Sequence, residues 1–560
     1  MKSCVYDCLI IFTIVYPSNS EKTLYKEIRI ADGPIRGRIL KTDRNNVYYA
    51  FQDIPYAKPP TGDLRLKEPT PPEKWTKVLN ATDNLKICPQ FQEGHEDKKE
   101  NEDCLVLNVY TPVDPQRTCT QLPVFVWIHG GAFTIFSGIK DVYGPDYYID
   151  KGVVVVTMNY RLGPLGFIST EDDVIPKNLG LKDQLLAIKW VKKNIASFGG
   201  DPNKVTLGGQ SAGAVSTGYH ILNTREPGLF RGAILESGSA LNCFSLQKHA
   251  REFAFTLGSM LDSKISDSSS STELLSVLMS AKLKDLQEAT FKMATRKIEY
   301  TNCFPNVDMQ WSPVIEFNND SSSLILGLSH EKVKNGQINR VPILIGVNSQ
   351  ELLFYGAPRI KILCDGFDLV YSMIINKNLR IKSENKKTAA TEIREIYTNF
   401  TLRSDVTTCI NSASAAMFNV PSQEYAVLHS EYADTYYYNF SYRGLLGKMS
   451  YHVEGQKGVG HFEEISYFWK NNTLIRQTMP KQDWVISNRV MELWTQFIKY
   501  LNPTAKRCRI SGKVSWPKVT STDFDYLDIN SELLVKKHPK HFLEWKAVYN
   551  KYADEKLDTY

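Results

Sequence analysis

Ser211 lies in the stretch GGQSAGA, residues 208–214, where small residues flank its hydroxyl on both sides. The pattern Gly-x-Ser-x-Gly runs from Gly209 to Gly213, follows the apolar run KVTL and precedes a segment that can form a helix. A serine on a sharp strand-to-helix turn presents its hydroxyl, and the helix amino terminus favours negative charge that develops beside it. The sequence therefore predicts that Ser211 is a nucleophile rather than a residue of a flexible glycine-rich loop.

The base that such a serine needs is sought among the histidines that follow it. A serine hydroxyl is a poor nucleophile unless a base takes its proton. We predict that His461 is this base, because it lies in the glycine-rich loop GVGHFEE directly before a helix-like segment. Four other histidines follow the serine with room for an acidic residue between, and they are less well placed, the last two in the basic run KKHPKH: His429, His452, His538 and His541.

An acidic residue is expected between the serine and the histidine, at the carboxyl end of a strand. Its carboxylate would accept a hydrogen bond from imidazole Nδ1–H, which fixes the tautomer and stabilises the imidazolium that forms. Glu351 follows the apolar run VPILIGV and meets this requirement. Asp365 and Asp368 lie close by in the sequence, and spacing alone does not decide between the three.

Donors for a negatively charged oxygen are expected in a second glycine-rich turn. The segment WIHGGAF, residues 127–133, follows another apolar run and matches the HGG-type loop that supplies backbone N–H groups to an oxyanion. A simple tight turn would explain its glycines but not its pairing with the serine turn. Together these residues predict acyl transfer from an ester through a covalent intermediate.

The elements that must hold these residues are apolar runs and amphipathic segments in alternation. Continuous apolar runs are typical of strands buried on both faces of a parallel sheet. Helical spacing of apolar residues predicts helices over residues 181–200 and 482–503. We therefore predict an α/β fold with a large, mostly parallel central sheet flanked by helices. The predicted strands cover residues 122–128, 153–160, 204–209, 231–237, 341–347 and 434–442.

The composition narrows the class of protein and its partners. The chain has 560 residues and a net charge of +6, from 67 basic and 61 acidic side chains. This balance, without a long basic run, argues against nucleic acid as a partner. No clustered His and Cys spacing indicates a metal or another cofactor, so none is expected. A small-molecule ester is the expected partner, and the oligomeric state is left open.

The amino terminus predicts export. Lys2 precedes the short apolar core CLIIFTIVY, and the small residues SNS follow, which is the pattern of a signal peptide over residues 1–20. The remainder, residues 21–560, is predicted to be one domain without a membrane anchor, so the protein is expected to be secreted and extracellular. Five N-x-[ST] sequons fit that location as candidate glycosylation sites: Asn80, Asn319, Asn399, Asn439 and Asn471.

Four sequence blocks resemble the type-B carboxylesterases, the cholinesterase-like branch of the α/β-hydrolases. They are FQDIPYAKPPTGDLR, NEDCLVLNVYTP, NYRLGPLGF and FGGDPNKVTLGGQSAGA, and the likeness extends over nearly the whole mature chain. The resemblance implies the nucleophile Ser211, the acid Glu351 and the base His461. It also implies that three backbone N–H groups form the oxyanion hole: Gly131, Ala132 and Ala212.

The same resemblance implies several supporting features. It suggests a disulfide between Cys88 and Cys104, and it places Phe244 where the family has an aromatic residue of the acyl pocket. Ala132 stands where the family frequently has glycine, and its methyl group is expected to narrow the acyl side. Two structural ion pairs are implied as well: Arg65 with Glu102 and Arg161 with Asp183. The other six cysteines of the mature chain remain unassigned: Cys119, Cys243, Cys303, Cys364, Cys409 and Cys508.

Departures from the cholinesterase pattern indicate the substrate class. Gln210 stands where cholinesterases have a glutamate, and the segment between Cys88 and Cys104 holds no tryptophan, so charge and cation–π attraction for choline are missing. The motifs look most like secreted insect esterases of the juvenile-hormone-esterase and pheromone-degrading kind, although Leu66 stands where those enzymes tend to have phenylalanine. We expect a secreted serine carboxylesterase for hydrophobic non-choline esters; the alternative is a non-catalytic adhesion or ligand-sequestering protein on the same fold.

Overall fold

A computed structural model of the chain describes most of its length. The signal peptide predicted over residues 1–20 lies outside the described residues, as do Asn319, Asn471, His452, Cys119, Cys303 and Cys508. The described ranges are 24–83, 85–91, 100–117, 121–300, 309–316, 322–376, 378–447, 453–470, 480–505, 514–554 and 556–560.

A single sheet of 13 strands runs through the described residues. Its spatial order is β1-β2-β3-β5-β7-β6-β8-β9-β10-β11-β12-β13, and β4 pairs with β2 beside this path. The strands are β1 Tyr25–Ile30, β2 Gly33–Lys41, β3 Val47–Pro55, β4 Leu79–Asn80, β5 Val106–Thr111, β6 Leu122–Ile128, β7 Val154–Met158, β8 Gly200–Gln210, β9 Gly232–Glu236, β10 Ile343–Asn348, β11 Thr435–Phe440, β12 Asp525–Ile529 and β13 Leu533–Lys537.

The parallel part of the sheet holds the six strands that the apolar runs predict. The strands β7, β6, β8, β9, β10 and β11 are neighbours in that order, and each pairs in parallel with the next. Antiparallel strands extend the sheet on both sides, β5, β3, β2 and β1 beyond β7 and β13 beyond β12. The sheet is therefore mixed, with a parallel centre that matches the predicted strands and antiparallel margins that the sequence did not predict.

The helices of the described part cover both faces of the sheet. Helices α3 and α14 correspond to the two predicted ones, and α3 ends earlier than predicted because a short 3₁₀ turn, Ile195–Phe198, follows it. The helices are α1 Asp146–Ile149, α2 Gly163–Phe167, α3 Leu179–Asn194, α4 Ala212–Leu222, α5 Ala250–Leu261, α6 Ser271–Ser280, α7 Leu283–Tyr300, α8 Ser329–Lys334, α9 Gly356–Leu369, α10 Ser383–Tyr397, α11 Val406–Ser414, α12 Val420–Ser430, α13 Ile465–Phe468, α14 Lys481–Tyr500 and α15 Phe542–Tyr552.

Two apolar cores lie on opposite faces of the central strands. Side chains alternate along a strand, and in β6 Val124 and Val126 belong to one core while Phe125 and Trp127 belong to the other. Residues of α3 and α4 pack in the first core, and residues of α14 pack in the second. The central strands are thus buried on both faces, which explains why they read as continuous apolar runs. Among the described helices, none combines the length and apolar character that crossing a membrane requires.

Two disulfides tie loops to this framework. Cys88 and Cys104 form the disulfide that the family resemblance implies. Cys364 and Cys409 form a second one, between α9 and α11, which the sequence left unassigned. Cys243 is a buried thiol. The second disulfide fastens the helix that follows Glu351 to the rest of the molecule.

Candidate active site

Ser211 lies on a strained turn between the centre of the sheet and a helix. It joins β8 to α4 and has φ 57° and ψ −124°, a backbone conformation that residues other than glycine rarely adopt. Its backbone N–H donates to Glu236 O over 2.8 Å, and its own carbonyl accepts from Val215 N over 2.9 Å. These bonds hold the strained residue in place at the amino terminus of α4, where the helix dipole favours negative charge.

Glycines on both sides of Ser211 are needed because neighbouring backbone segments lie too close to leave room for a Cβ atom. A Cβ atom on Gly213 would collide with the carbonyl oxygen of Ile128, and one on Gly209 would collide with the backbone of Gly213. A Cβ atom on Gly238 would lie 2.7 Å from Ser211 O. The small residues of the GGQSAGA stretch therefore let β8, α4 and the end of β6 converge on the serine.

His461 and Glu351 form a directly hydrogen-bonded pair. His461 Nδ1 lies 2.7 Å from Glu351 Oε2, and His461 N donates to the backbone oxygen of Glu351 over 2.9 Å. Glu351 is fully buried at the start of a 3₁₀ turn, Glu351–Tyr355, that follows β10. A carboxylate at this distance favours the imidazole tautomer with its proton on Nδ1, in which Nε2 is the nitrogen that can accept a proton.

The other candidates for acid and base lie in different surroundings. Asp365 pairs with Lys361 on α9, and Asp368 accepts bonds from the backbone N–H groups of Leu402 and Arg403. His429 is buried beside Thr435, with Nδ1 2.9 Å from its hydroxyl. His538 and His541 lie before α15, where His538 N donates to Phe524 O and His541 Nδ1 lies 3.6 Å from Glu544 Oε1. Of the alternatives that the described residues include, only Glu351 and His461 are brought together.

Two residues that the sequence did not single out support the acid. Glu351 Oε1 accepts a bond from Ser237 Oγ and another from the backbone N–H of Asn348, each over 2.6 Å. Asn348 Nδ2 also donates to Gly460 O over 2.8 Å, which ties β10 to the loop that carries His461. Ser237 ends the predicted strand over residues 231–237, and Asn348 directly follows the one over residues 341–347. Their places at the carboxyl ends of two predicted strands could have marked both as neighbours of the site.

The loop after β6 adopts the conformation of a donor turn. Gly131, Ala132 and Phe133 have φ values of 102°, 54° and 60°, so three consecutive residues lie in the left-handed region. Successive backbone N–H groups in a tight turn can form a concavity that holds an anion. His129, at the start of the loop, is buried and its ring stacks on Tyr160 with the centroids 4.5 Å apart. Burial lowers the pKa of His129 to about 4. Because His129 is uncharged at neutral pH, an anion at this loop would be bound by the backbone N–H groups and not by an imidazolium.

Gln210 contacts the imidazole. Its amide Nε2 lies 3.2 Å from His461 Nε2, the nitrogen that would take the proton of Ser211. Gln210 itself is buried and directly precedes the serine. Because the side chain of Gln210 is an uncharged amide, it places no negative charge next to His461 Nε2.

Aromatic rings surround the base. The rings of Phe418 and Phe354 lie 4.7 Å and 5.2 Å from the imidazole, and Phe244 packs against Phe418 at 5.2 Å. Phe418 is carried by one π-helical turn, Ala415–Asn419, between α11 and α12, a local irregularity that is frequent at functional sites. The predicted acyl-pocket residue Phe244 is thus connected to the base through a single ring.

Both implied ion pairs are present and lie beneath the loops of the site. Arg161 Nε and Nη2 donate to the two carboxylate oxygens of Asp183 over 2.8 Å and 2.6 Å, with both side chains buried. Arg65 Nε donates to Glu102 Oε2 over 2.8 Å, and the same guanidinium reaches backbone oxygens near the end of α6. The Arg65 pair thus ties Glu102, two residues before Cys104, to the end of α6.

The described sequons differ in their surroundings. Asn80 and Asn399 are exposed, as a glycan requires. Asn439 lies within β11, and its Nδ2 donates to Asp528 Oδ1 over 2.9 Å. A glycan on Asn439 would have to break this bond at a partly buried strand, so Asn80 and Asn399 are the better candidates.

A buried glutamate next to the site predicts a pH-dependent stability. Burial raises the pKa of Glu236 to about 8, although Trp494 Nε1 donates to it over 2.8 Å. Above the ordinary value of 4.5 the unfolded chain loses this proton while the folded chain keeps it. The free energy of unfolding therefore falls by about 1.4 kcal/mol per pH unit from this group as pH rises between about 5 and 8. Glu236→Gln is expected to remove that contribution.

Denaturant unfolding of the wild type and Glu236→Gln at several pH values across this range measures the difference in slope. Burial and the nearby Glu351 and Glu236 raise the pKa of Glu464 as well, so part of the pH dependence remains in Glu236→Gln. Parallel pH profiles for the two proteins would contradict an uncharged Glu236 in the folded state.

The fold and the serine site together define an α/β-hydrolase, and comparison with known proteins agrees. The chain matches the Carboxylesterase family over residues 25–543, and it belongs to that family. It is 31% identical to Venom carboxylesterase-6 of Apis mellifera over 92% of this chain and 93% of that protein. It is 30% identical to Juvenile hormone esterase of Tribolium castaneum over 84% of this chain and 83% of that protein.

A solved structure shows the same fold. The crystal structure of juvenile hormone esterase from Manduca sexta, with OTFP covalently attached, superposes with a TM-score of 0.82. It is 26% identical in sequence and covers 94% of this chain and 100% of its own. The resemblance to insect esterases of the juvenile-hormone-esterase kind is thereby confirmed, and the protein is a carboxylic ester hydrolase.

Proposed function

We propose that the protein is an exported serine carboxylesterase that hydrolyses hydrophobic, uncharged esters through an acyl-enzyme. The observation that carries this proposal is the strained Ser211 at the amino terminus of α4, directly after Gln210, whose amide lies 3.2 Å from the imidazole of the hydrogen-bonded pair of His461 and Glu351. The covalent adduct named for the structure from Manduca sexta supports it, because covalent attachment is what a nucleophilic site of this fold would give.

The proposed reaction has two matched halves. His461 Nε2 takes the proton of Ser211 Oγ as that oxygen bonds to the ester carbonyl carbon, and the carbonyl oxygen becomes an oxyanion near Gly131, Ala132 and Ala212. The carbon–oxygen bond to the alcohol then breaks, and the departing oxygen receives the proton from His461. Water repeats the steps on the acyl-enzyme, so one ester and one water give one acid and one alcohol.

The substrate class is argued from the lining of the site. The rings of Phe244, Phe354 and Phe418 supply apolar contact around His461. Gln210 brings an amide, not a carboxylate, to within 3.2 Å of the imidazole. A quaternary ammonium group would lose its hydration there without gaining a charged partner at that position. Neutral hydrophobic esters, whether lipid-like, hormone, pheromone or xenobiotic, fit this lining.

A panel of esters tests the substrate class. The values of kcat/KM are measured for butyrylcholine and for its uncharged isostere 3,3-dimethylbutyl butyrate, together with methyl esters of straight and of branched, conjugated acids. We expect the uncharged isostere to be preferred, since a desolvation cost of about 1.4 kcal/mol already gives a tenfold ratio. A preference for the choline ester would contradict the proposed class.

Export is proposed from the predicted signal peptide and from the exposed sequons Asn80 and Asn399. The relatives named as venom and juvenile hormone esterases are consistent with it. Expression of the full chain in insect cells tests this proposal. Recovery of the protein from the medium with an amino terminus near Glu21 is expected, and retention of residues 1–20 would contradict it.

A further inference from the structure

Two phenylalanines join the loops that carry the two halves of the site. The rings of Phe136 and Phe462 are stacked with their centroids 5.4 Å apart and their planes 18° apart. Phe136 lies five residues beyond Gly131 in the loop after β6, and Phe462 directly follows His461. The stack is therefore a contact between the loop of the proposed oxyanion donors and the loop of the proposed base.

Both phenylalanines have a backbone that suits glycine. Their φ values are 74° for Phe136 and 73° for Phe462, in the left-handed region where a bulky residue is an outlier. Such strain persists only where the surroundings hold it, and it concentrates at functional sites. Glycine would relieve both positions, so the rings themselves are what these residues contribute.

The disulfide-closed segment holds one side of the stack. Phe136 N donates to Gln90 Oε1 over 2.6 Å, and Gln90 Nε2 donates to Phe136 O over 3.2 Å and to Cys88 O over 2.6 Å. Phe136 is thus bound at both backbone groups by one side chain. Phe136 and Phe462 both stay partly exposed, which leaves apolar ring surface open beside the base.

We propose that Phe136 and Phe462 form the apolar surface that binds the alcohol portion of the ester. This inference rests on the proposed function. His461 must deliver its proton to the leaving oxygen, so the alcohol carbons lie next to His461 and the residues that adjoin it. The family resemblance places Phe244 in the acyl pocket, and Phe244 packs against Phe418, whose ring contacts the imidazole. The stacked pair is then a specificity-determining element for the leaving group.

Two series of esters separate the two sides. One series keeps butyrate and lengthens the alcohol from methyl to hexyl, and the other keeps the methyl ester and lengthens the acid. In the wild type we expect kcat/KM to rise by up to about fourfold for each methylene that the alcohol buries. Phe462→Gly is expected to flatten the alcohol series and leave the slope of the acid series unchanged.

The backbone makes Phe462→Gly a suitable variant, because glycine adopts φ near 73° without strain. Phe462→Tyr keeps a ring and is expected to retain the alcohol slope, and Phe136→Gly is expected to lose it. Phe400→Gly is the matched control, since Phe400 is 75% exposed on the segment between α10 and α11.

The rate of deacylation distinguishes binding of the alcohol from a general structural role, because a general disturbance of the site would slow deacylation too. All esters of one acid share the same acyl-enzyme, so its hydrolysis is independent of the alcohol. Single-turnover deacylation of the butyryl-enzyme is expected to be unchanged in Phe462→Gly. Equal losses of kcat/KM in both series together with slower deacylation would overturn the proposal. A higher kcat/KM of Phe462→Gly for long alcohols would also overturn it, because the stacked rings would then block the alcohol instead of binding it. If the wild type hydrolyses no ester at all, the proposed function itself fails.

Discussion

Replacing Ser211 with alanine is expected to lower kcat for ester hydrolysis by about 10⁶-fold, the loss that removal of a catalytic serine gives in comparable sites. The variant removes only Oγ. Alanine keeps a Cβ atom on the strained turn, and the backbone bonds to Glu236 and Val215 remain. The fold and the affinity for an ester substrate are therefore expected to survive while the covalent step is lost.

Hydrolysis of p-nitrophenyl butyrate and labelling with a fluorophosphonate probe measure this effect. Ser239→Ala is the matched control, because Ser239 is also a buried serine and its hydroxyl bonds to Asn242 Oδ1 rather than to any residue of the site. It is expected to label like the wild type. Undiminished labelling of Ser211→Ala would contradict the nucleophile. An inactive wild type that binds esters would instead favour the non-catalytic, ligand-sequestering alternative.

The serine turn and the central strands could be predicted because their signals are local. A Gly-x-Ser-x-Gly pattern between an apolar run and a helix fixes a strand–turn–helix unit within about a dozen residues. The same holds for β6 to β11, which are mostly apolar because their central residues are buried on both faces. Strands β1 and β2 were not predicted, because their buried residues alternate with partly or fully exposed ones and they carry several charges.

Relations between distant residues could not be predicted in the same way. Glu351, Asp365 and Asp368 are equivalent by spacing, and the choice depends on a register that brings the end of β10 beside residues 458–461. The bond from Ser237 to Glu351 spans 114 residues and has no local signature. The stack of Phe136 on Phe462 depends on two left-handed backbones, which no apolar periodicity reveals.

Replacing Glu351 with glutamine is expected to lower kcat by about 10⁴-fold with little change in the fold, as loss of the acid does in a comparable triad. Glutamine has the same shape and still offers an oxygen to Ser237 Oγ and Asn348 N. Its amide, however, donates toward His461 Nδ1. The imidazole then carries its proton on Nε2 and cannot accept one from Ser211.

Single-turnover acylation with a p-nitrophenyl ester measures this loss, and the labelling rate with a fluorophosphonate reports the same step. Glu236→Gln provides the control, because Glu236 is an equally buried glutamate whose side chain bonds to Trp494 instead of His461. We expect it to acylate at the wild-type rate. If Glu351→Gln stayed within tenfold of the wild type, the 2.7 Å contact between Glu351 and His461 would be structural. The orientation of the imidazole would then have to depend on Gln210, whose amide contacts the opposite ring nitrogen.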